Sequence, residues 1–300
     1  MTLVKFFAAA VALLAVCSCQ PEKVAPRPPK PIGQDTEVPQ DTKDPDGFKL
    51  MSFNVRYENS GDTGDQAWKR RKSAVCEMVN KQKPMVMGVQ ECLSGQKADI
   101  LAGCKDYGAI GVGRDDGRNK GEMMAIFYRK SDVTIVDWGT FWLSLTPSVP
   151  SKDWNSACYR CATWARIKIN ATGKEIFYVD THLDHQHGQA EQMAVLEEQM
   201  VLLNKAKAPM FVSADFNVKE DEALFDHIQL TMANARKTAP ITDKVKSYNS
   251  WGKAGSASNI DIIFYSKDAV RPLKFRTVND SYDGLSLISD HYPIYAIFAL

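Results

Sequence analysis

Ten polar side chains interrupt or end the apolar stretches of this chain. They are Asn54 in "MSFNVR", Glu91 in "VMGVQE", Glu122 in "GEMMAIF", Arg160 in "CYRC", His182 in "VDTHLDH", Asp215 and Asn217 in "VSADFN", Asp261 in "NIDIIF", and the adjacent Asp290 and His291 in "SDHYP". Singly, each has an ordinary role: a turn asparagine, a glutamate capping a helix that starts near Ser94, an aspartate ending a strand. Together they are too many ionisable groups to bury unpaired, so they are expected to converge on one another and on a cation. Glu91, Asn54, Asp290 and Asp215 offer hard oxygen ligands, which suit Mg²⁺ or Mn²⁺. No thiolate belongs to the set, which argues against structural zinc. Two histidines on separate strands suit proton transfer near neutral pH, and Arg160 supplies a fork for phosphate oxygens. Metal, acid/base histidines and an arginine describe hydrolysis of a phosphate ester.

The stretch "THLDHQHGQ" has a rival reading, with His182, His185 and His187 as a transition-metal cluster. It carries no cysteine and no evident fourth ligand, so His185 and His187 are read as solvated loop residues.

The elements that must position these groups alternate from Phe48 onward. "FKLMSFNV" is a short apolar strand. Trp68, Val75, Met78 and Val79 recur at helical spacing, and Pro84 stops that helix before a buried strand, "MVMGVQE". "GEMMAIFYRK" and "VTIVDWGTFWLS" read as a hairpin linked at Ser131-Asp132. "CATWARIKIN" and "KEIFYVDTHL" form another around "ATGK". "QAEQMAVLEEQMVLLNKA" is an amphipathic helix with Met193, Leu196, Met200 and Leu203 on one face. "PMFVSADFN", "NIDIIFYS" and "HYPIYAIFAL" are further strands. Many hairpins and few helices argue against an all-parallel doubly wound sheet. They predict an α/β (α+β) four-layer sandwich, two mixed β-sheets packed face to face with helices outside, in one domain over 47–300.

These motifs, taken in order, resemble the endonuclease/exonuclease/phosphatase superfamily, which includes deoxyribonuclease I, exonuclease III, sphingomyelinases and inositol-polyphosphate 5-phosphatases. The resemblance runs through "SFNVR", "GVQE", "GRNKGEMMAIFYR", "THLDH", "ADFN", "NID" and "SDHYP", the last being the most specific. It implies that Glu91 and Asn54 form a metal-ligand pair, with Asp290 a further metal or water ligand. It implies that Asp261 orients His291 as general base, and that Asp215 and Asn217 position the scissile phosphate. His182 is then a phosphate donor or general acid, Glu122 its partner in the deoxyribonuclease branch, and Arg160 the arginine on the neighbouring strand. Three positions depart from the family pattern: Ala214 replaces the usual glycine before Asp215, Asn259 replaces an arginine, and Arg56 stands where some branches carry an aspartate.

The substrate is less legible. The formal net charge is +1, from 37 basic and 36 acidic residues, so no basic surplus points to a polyanion. A nuclease reading rests on "GRNKGEMMAIFYR"; a phospholipid, sugar or inositol phosphate reading rests on a membrane tether. A catalytically silent binding lipoprotein is the third alternative. Trp138 and Trp142 are read as core strand residues and Trp154 as a rim residue. "MTLVKFFAAAVALLAVCSC", residues 1–19, has the layout of a lipoprotein signal with Cys19 acylated. Residues 20–46 are a Pro-rich tether. These features predict a monomer lipid-anchored in a Gram-negative cell envelope, facing the periplasm or in the outer membrane. The remaining cysteines are read as buried or unpaired, with a Cys92–Cys104 bridge an open alternative.

Overall fold

The computed structural model describes residues 43–300, which belong to one compact unit. The signal segment, Cys19 and the tether up to residue 42 lie outside the described residues. Asp44, near the end of the proline-rich stretch, accepts hydrogen bonds from Lys49 Nζ (2.7 Å), Lys274 Nζ (2.8 Å) and Tyr295 Oη (2.9 Å). The last residues of that stretch are therefore attached to the domain. Among the described residues no helix is long and apolar enough to cross a membrane.

The chain opens with strands β1 (Phe48–Asn54), β2 (Val86–Cys92), β3 (Tyr107–Ile110) and β4 (Met123–Arg129). It continues with β5 (Val133–Trp142), β6 (Cys161–Ile169), β7 (Glu175–His182), β8 (Met210–Asp215), β9 (Met232–Asn234) and β10 (Asp261–Ser266), and closes with β11 (Arg271–Thr277) and β12 (Ile294–Ala299). They form two six-stranded mixed sheets, ordered β11-β12-β1-β2-β4-β3 and β5-β6-β7-β8-β10-β9. Each sheet contains one parallel pair, β1–β2 and β7–β8, bridged by the helices α1 (Trp68–Gln82) and α3 (Gln189–Leu203), because a parallel neighbour needs a crossover. A further helix, α2 (Ser94–Gly103), packs beside α1. Helices outside two facing sheets give the predicted four-layer sandwich.

The predicted hairpin between "GEMMAIFYRK" and "VTIVDWGTFWLS" does not form. Both edges of β4 are taken, by β2 and β3, so β5 pairs with β6 in the other sheet. The link is a corner between sheets, held by an Arg129–Asp132 ion pair and by the Asn170 N–H donating to Asp132 O at 2.8 Å. The second hairpin, β6–β7, forms as predicted. Trp142 is buried, but Trp138 is 41 % exposed: it lies on the edge strand β5, just past a bulge at Ile135/Asp137. The five described cysteines are free. Cys104 does not bridge to Cys92 but is carried onto α1, where its thiol donates to Cys76 O at 3.8 Å.

Strand alternation explains where the chemistry lies. On the face turned to the other sheet, β1 presents Phe48 and Leu50, then Ser52 and Asn54; β7 presents Ile176 and Tyr178, then Asp180 and His182; β8 presents Phe211, then Ser213 and Asp215. Each strand thus runs from an apolar core through a buried polar layer to a functional group at the mouth. The opposite faces, with Met51, Phe53, Val179 and Val212, pack under the helices.

Candidate active site

The ten residues predicted from sequence come from both sheets and gather at one end of the sandwich. Asn54 is fully buried at the end of β1. Its Nδ2 donates to Glu91 Oε1 and to Asp215 Oδ2, both at 3.0 Å, and its Oδ1 accepts the Arg56 N–H at 2.9 Å. That pattern fixes the amide orientation, since the reverse would set Oδ1 against two carboxylates. Asn54 therefore ties the first sheet to the second at the mouth.

Glu91 reaches the site through a bulge. Plain alternation from Val89 would turn it towards α2, but the register of β2 slips against β4 between Val89 and Cys92, and Glu91 adopts φ 58°. Its carboxylate then meets Asn54 and accepts the Tyr57 N–H at 3.1 Å. It does not cap α2; the Gln96 side chain does, accepting the Leu93 N–H at 3.2 Å. Arg56 and Asn217 also hold positive φ, 57° and 53°, so backbone strain concentrates around these residues.

From the second sheet, Asp261 opens β10 directly opposite Asp215 on β8. His291, on the link into β12, pairs its Nδ1 with Asp261 Oδ2 at 2.8 Å, and its Nε2 lies 3.5 Å from Asp215 Oδ2. His182 Nε2 lies at the same 3.5 Å from that oxygen. Two imidazoles therefore flank one carboxylate. Burial alone would lower the pKa of His291, but the Asp261 and Asp215 carboxylates outweigh it and hold it well above the usual histidine range. Burial and the Arg160 and Arg114 charges push His182 the other way, so it is neutral. Burial raises Asp215 to about 7, with His291 opposing and Asp261 adding to the rise.

Asn217 Nδ2 donates to Leu183 O and to His182 Nε2, each at 2.9 Å. The carbonyl fixes the amide, so His182 Nε2 is an acceptor and its proton sits on Nδ1. That Nδ1 is 4.0 Å from Glu122, beyond hydrogen-bond distance, and has no partner. Glu122 instead gives both oxygens to Arg114, at 2.7 and 2.9 Å. Arg160 is buried, with Nε on Asp184 Oδ2 and Nη2 on His185 Nδ1, both at 3.2 Å. Its Nη1 is buried without a partner. His185 and His187 are exposed, as expected of loop residues.

Sequence reasoning passed over Arg114 and Asp184. Asp184 accepts the N–H groups of Cys158, Gln186 and His187 as well as Arg160 Nε, and so ties the loop before β6 to the loop after β7. The signal for Asp184 was its place two residues after His182 in "THLDH".

Two groups of ligands fit a cation. Asp215, Asp261 and His291 bring ligand atoms within 4.8 Å of one another; Asp261 Oδ2 is committed to His291 Nδ1, while Asp261 Oδ1 is buried without a partner. Glu91 and Asp290 form the second group. Burial raises the Asp290 pKa, and the Glu91 charge raises it further. The His291 charge, and after it the Arg56 guanidinium 3.7 Å from Asp290 Oδ2, offset this only in part. Two crowded oxygen donors of like charge are what a hard divalent cation relieves.

The Endonuclease/Exonuclease/phosphatase family profile matches residues 51–291, and the chain belongs to that family. The family consists of hydrolases acting on phosphoesters and is generally dependent on divalent metal. The fold is similar to a mannosyl-6-phosphatase from Bacteroides thetaiotaomicron, at TM-score 0.78 and 30 % identity over 85 % of this chain and 100 % of that one. An endonuclease/exonuclease/phosphatase from Bacteroides vulgatus gives TM-score 0.77 and 33 % identity, again over 85 % and 100 %. Nocturnin of Drosophila melanogaster is 21 % identical over 201 residues, 60 % of this chain; the chain spans 30 % of that protein's length.

Proposed function

We propose that this chain is a Mg²⁺- or Mn²⁺-dependent phosphoesterase that hydrolyses a sugar phosphate monoester by in-line attack of water. The observation that carries the chemistry is the buried Asp261–His291 pair facing Asp215, with His182 on the far side of the same carboxylate. The sugar phosphate class is supported by the mannosyl-6-phosphatase, which matches over its full length at 30 % identity.

Glu91 and Asp290 would hold the cation, which when bound would supply positive charge to offset that of the phosphate oxygens. Asp261 fixes the His291 ring by accepting from Nδ1, which leaves Nε2 as the atom that takes the proton from water. The two carboxylates around it raise its proton affinity, so the ring acts as base in the fraction of molecules where Nε2 is deprotonated. Asn54 keeps Asp215 and Glu91 at fixed separation across the sheets. His182 faces the leaving side. Its Nε2 accepts from Asn217 in the free protein and its proton is on Nδ1, so donation from Nε2 to the leaving oxygen requires that Asn217 turn away and that the ring proton move from Nδ1 to Nε2.

The test is turnover by the purified protein with Mg²⁺ on mannose 6-phosphate, bis-p-nitrophenyl phosphate and plasmid DNA. Fastest phosphate release from the sugar phosphate is expected. Plasmid nicking without monoester turnover would replace this reading with a nuclease, and silence on all three would favour a binding protein.

A further inference from the structure

One layer beneath the site lies a buried acid that the proposed mechanism does not use. Asp180 is fully buried on β7, two residues before His182 and on the same strand face. Its Oδ1 accepts from Gln90 Nε2 at 2.6 Å and from Ser213 Oγ at 3.0 Å. Gln90 belongs to β2 of the other sheet, next to Glu91, and its Nε2 also donates to Ser52 Oγ at 3.1 Å. Ser52, Asp180 and Ser213 each precede a site residue, Asn54, His182 and Asp215, by two positions. The layer therefore repeats the mouth one pleat deeper.

Two atoms in this layer have no partner: Asp180 Oδ2 and Gln90 Oε1, both buried oxygens. They belong to side chains already joined through their other atoms. Among the described residues no lysine, arginine or histidine pairs with Asp180; its neighbours are the Gln90 amide, the Ser213 hydroxyl and the Val89 backbone. An isolated buried carboxylate is the costliest arrangement for such a site, and an unpaired amide oxygen beside it adds to the cost. A single proton on Asp180 Oδ2, shared with Gln90 Oε1, would remove both defects. An amide and a carboxylic acid join by two parallel hydrogen bonds, N–H to one oxygen and O–H to the amide carbonyl.

We infer that Asp180 is a neutral carboxylic acid whose Oδ2 proton is donated to Gln90 Oε1, and that this acid–amide pair is the positioning element that sets the two halves of the catalytic mouth against each other. Burial without a charged partner pushes its acidity in the same direction, far above the ordinary aspartate range. The backbone is shaped for the pair: a Cβ on Gly88 would fall 2.1 Å from Asp180 Oδ1 and 2.2 Å from Tyr178 Oη, so only glycine lets β7 approach β2 this closely. Glu91 and Asp290 come from one side of the cleft, His182, Asp215 and Asp261 from the other. A slip of the sheets by one ångström at this layer would carry through to every distance between the two sides. The positioning consequence rests on the phosphoesterase reading; the protonation state does not.

Two measurements test the proposal. Isotope-edited infrared spectra of the wild-type protein, with labelled aspartate, are expected to show a protonated carboxyl band at neutral pH that disappears in Asp180→Asn. A carboxylate band assigned to Asp180 at neutral pH would overturn the inference whether or not the protein turns over any substrate. The second measurement compares kcat/KM of Asp180→Asn with Asp180→Leu. Asparagine keeps the pattern, its Nδ2 donating where the acid proton did, so near wild-type turnover is expected. Leucine leaves Gln90 unpaired, and a loss of about 10²-fold is expected from misplacement alone. Asn and Leu variants that lose activity equally would overturn the positioning role. A wild-type protein without phosphoesterase activity would instead remove the functional reading and leave the spectroscopic arm intact.

Discussion

The proposed mechanism gives His291 the proton-transfer role, and its setting makes that role separable from folding. Its ring is held by one strong bond to Asp261, and the strand beyond it, Ile294–Ala299, packs through residues of its own. His291→Ala is therefore expected to keep its circular dichroism spectrum, with a lowered thermal midpoint because Asp261 and Asp215 lose their buried partner, while turnover falls by about 10²–10⁴-fold. An active His291→Ala protein would remove it as the base. The residue types at this scale were legible, because ionisable groups at the ends of apolar strands have few ordinary explanations when ten occur together. Their bonds were not. Glu91 reaches the site only because β2 slips register, and period-2 reading alone turns it the wrong way. Glu122 belongs to Arg114, a pairing eight residues long through a loop whose shape no periodicity encodes.

At the scale of elements, α1 does more than cover a sheet. Arg71 is fully buried on it and spends its donors on four backbone carbonyls: Gln66 O and Val55 O at 2.7 Å, Ile288 O and Arg56 O at 3.0 Å. Its guanidinium lies near the Trp68 and Trp251 rings, 5.3 and 5.5 Å from their centroids. It thereby binds the loops that follow Asn54 and precede Asp290 to one helix. Arg71→Met would orphan those carbonyls, and a loss of roughly 3 kcal/mol in urea unfolding is expected; unchanged stability would contradict the clamp. Its spacing gave a clue. Arg71 falls three residues after Trp68 and four before Val75, on the buried face of the helix. The misread hairpin between β4 and β5 has the opposite cause: strand propensity and a short link were both present, and only the occupied edges of β4 exclude the pairing.

For the molecule as a whole, the candidate site lies at the mouth between two sheets, and the loops that rim it are fastened by charge. Asp184 shows the pH cost of this. Burial alone would raise its pKa, but the Gln186 N–H, the Arg160 charge and the Cys158 and His187 N–H groups hold it at about 2, below the unfolded value of 3.8. A depressed folded pKa stabilises above the unfolded value and is lost as pH falls through the folded one. Asp184 is thus expected to contribute about 2 kcal/mol above pH ~4, fading towards pH ~2. Urea midpoints of wild type and Asp184→Asn should differ near neutrality and converge across that window; a constant gap would contradict the assignment.

The central claim is that Glu91 and Asp290 complete, with a divalent cation, a site in which His291 activates water. Phosphate release by chelator-stripped protein, followed as Mg²⁺ is restored in wild type and in Glu91→Gln, tests it most directly. The account predicts no turnover without metal, full recovery in wild type, and an activation midpoint in Glu91→Gln raised by about tenfold or more. Turnover that ignores the chelator, or activation curves that superimpose, would contradict it.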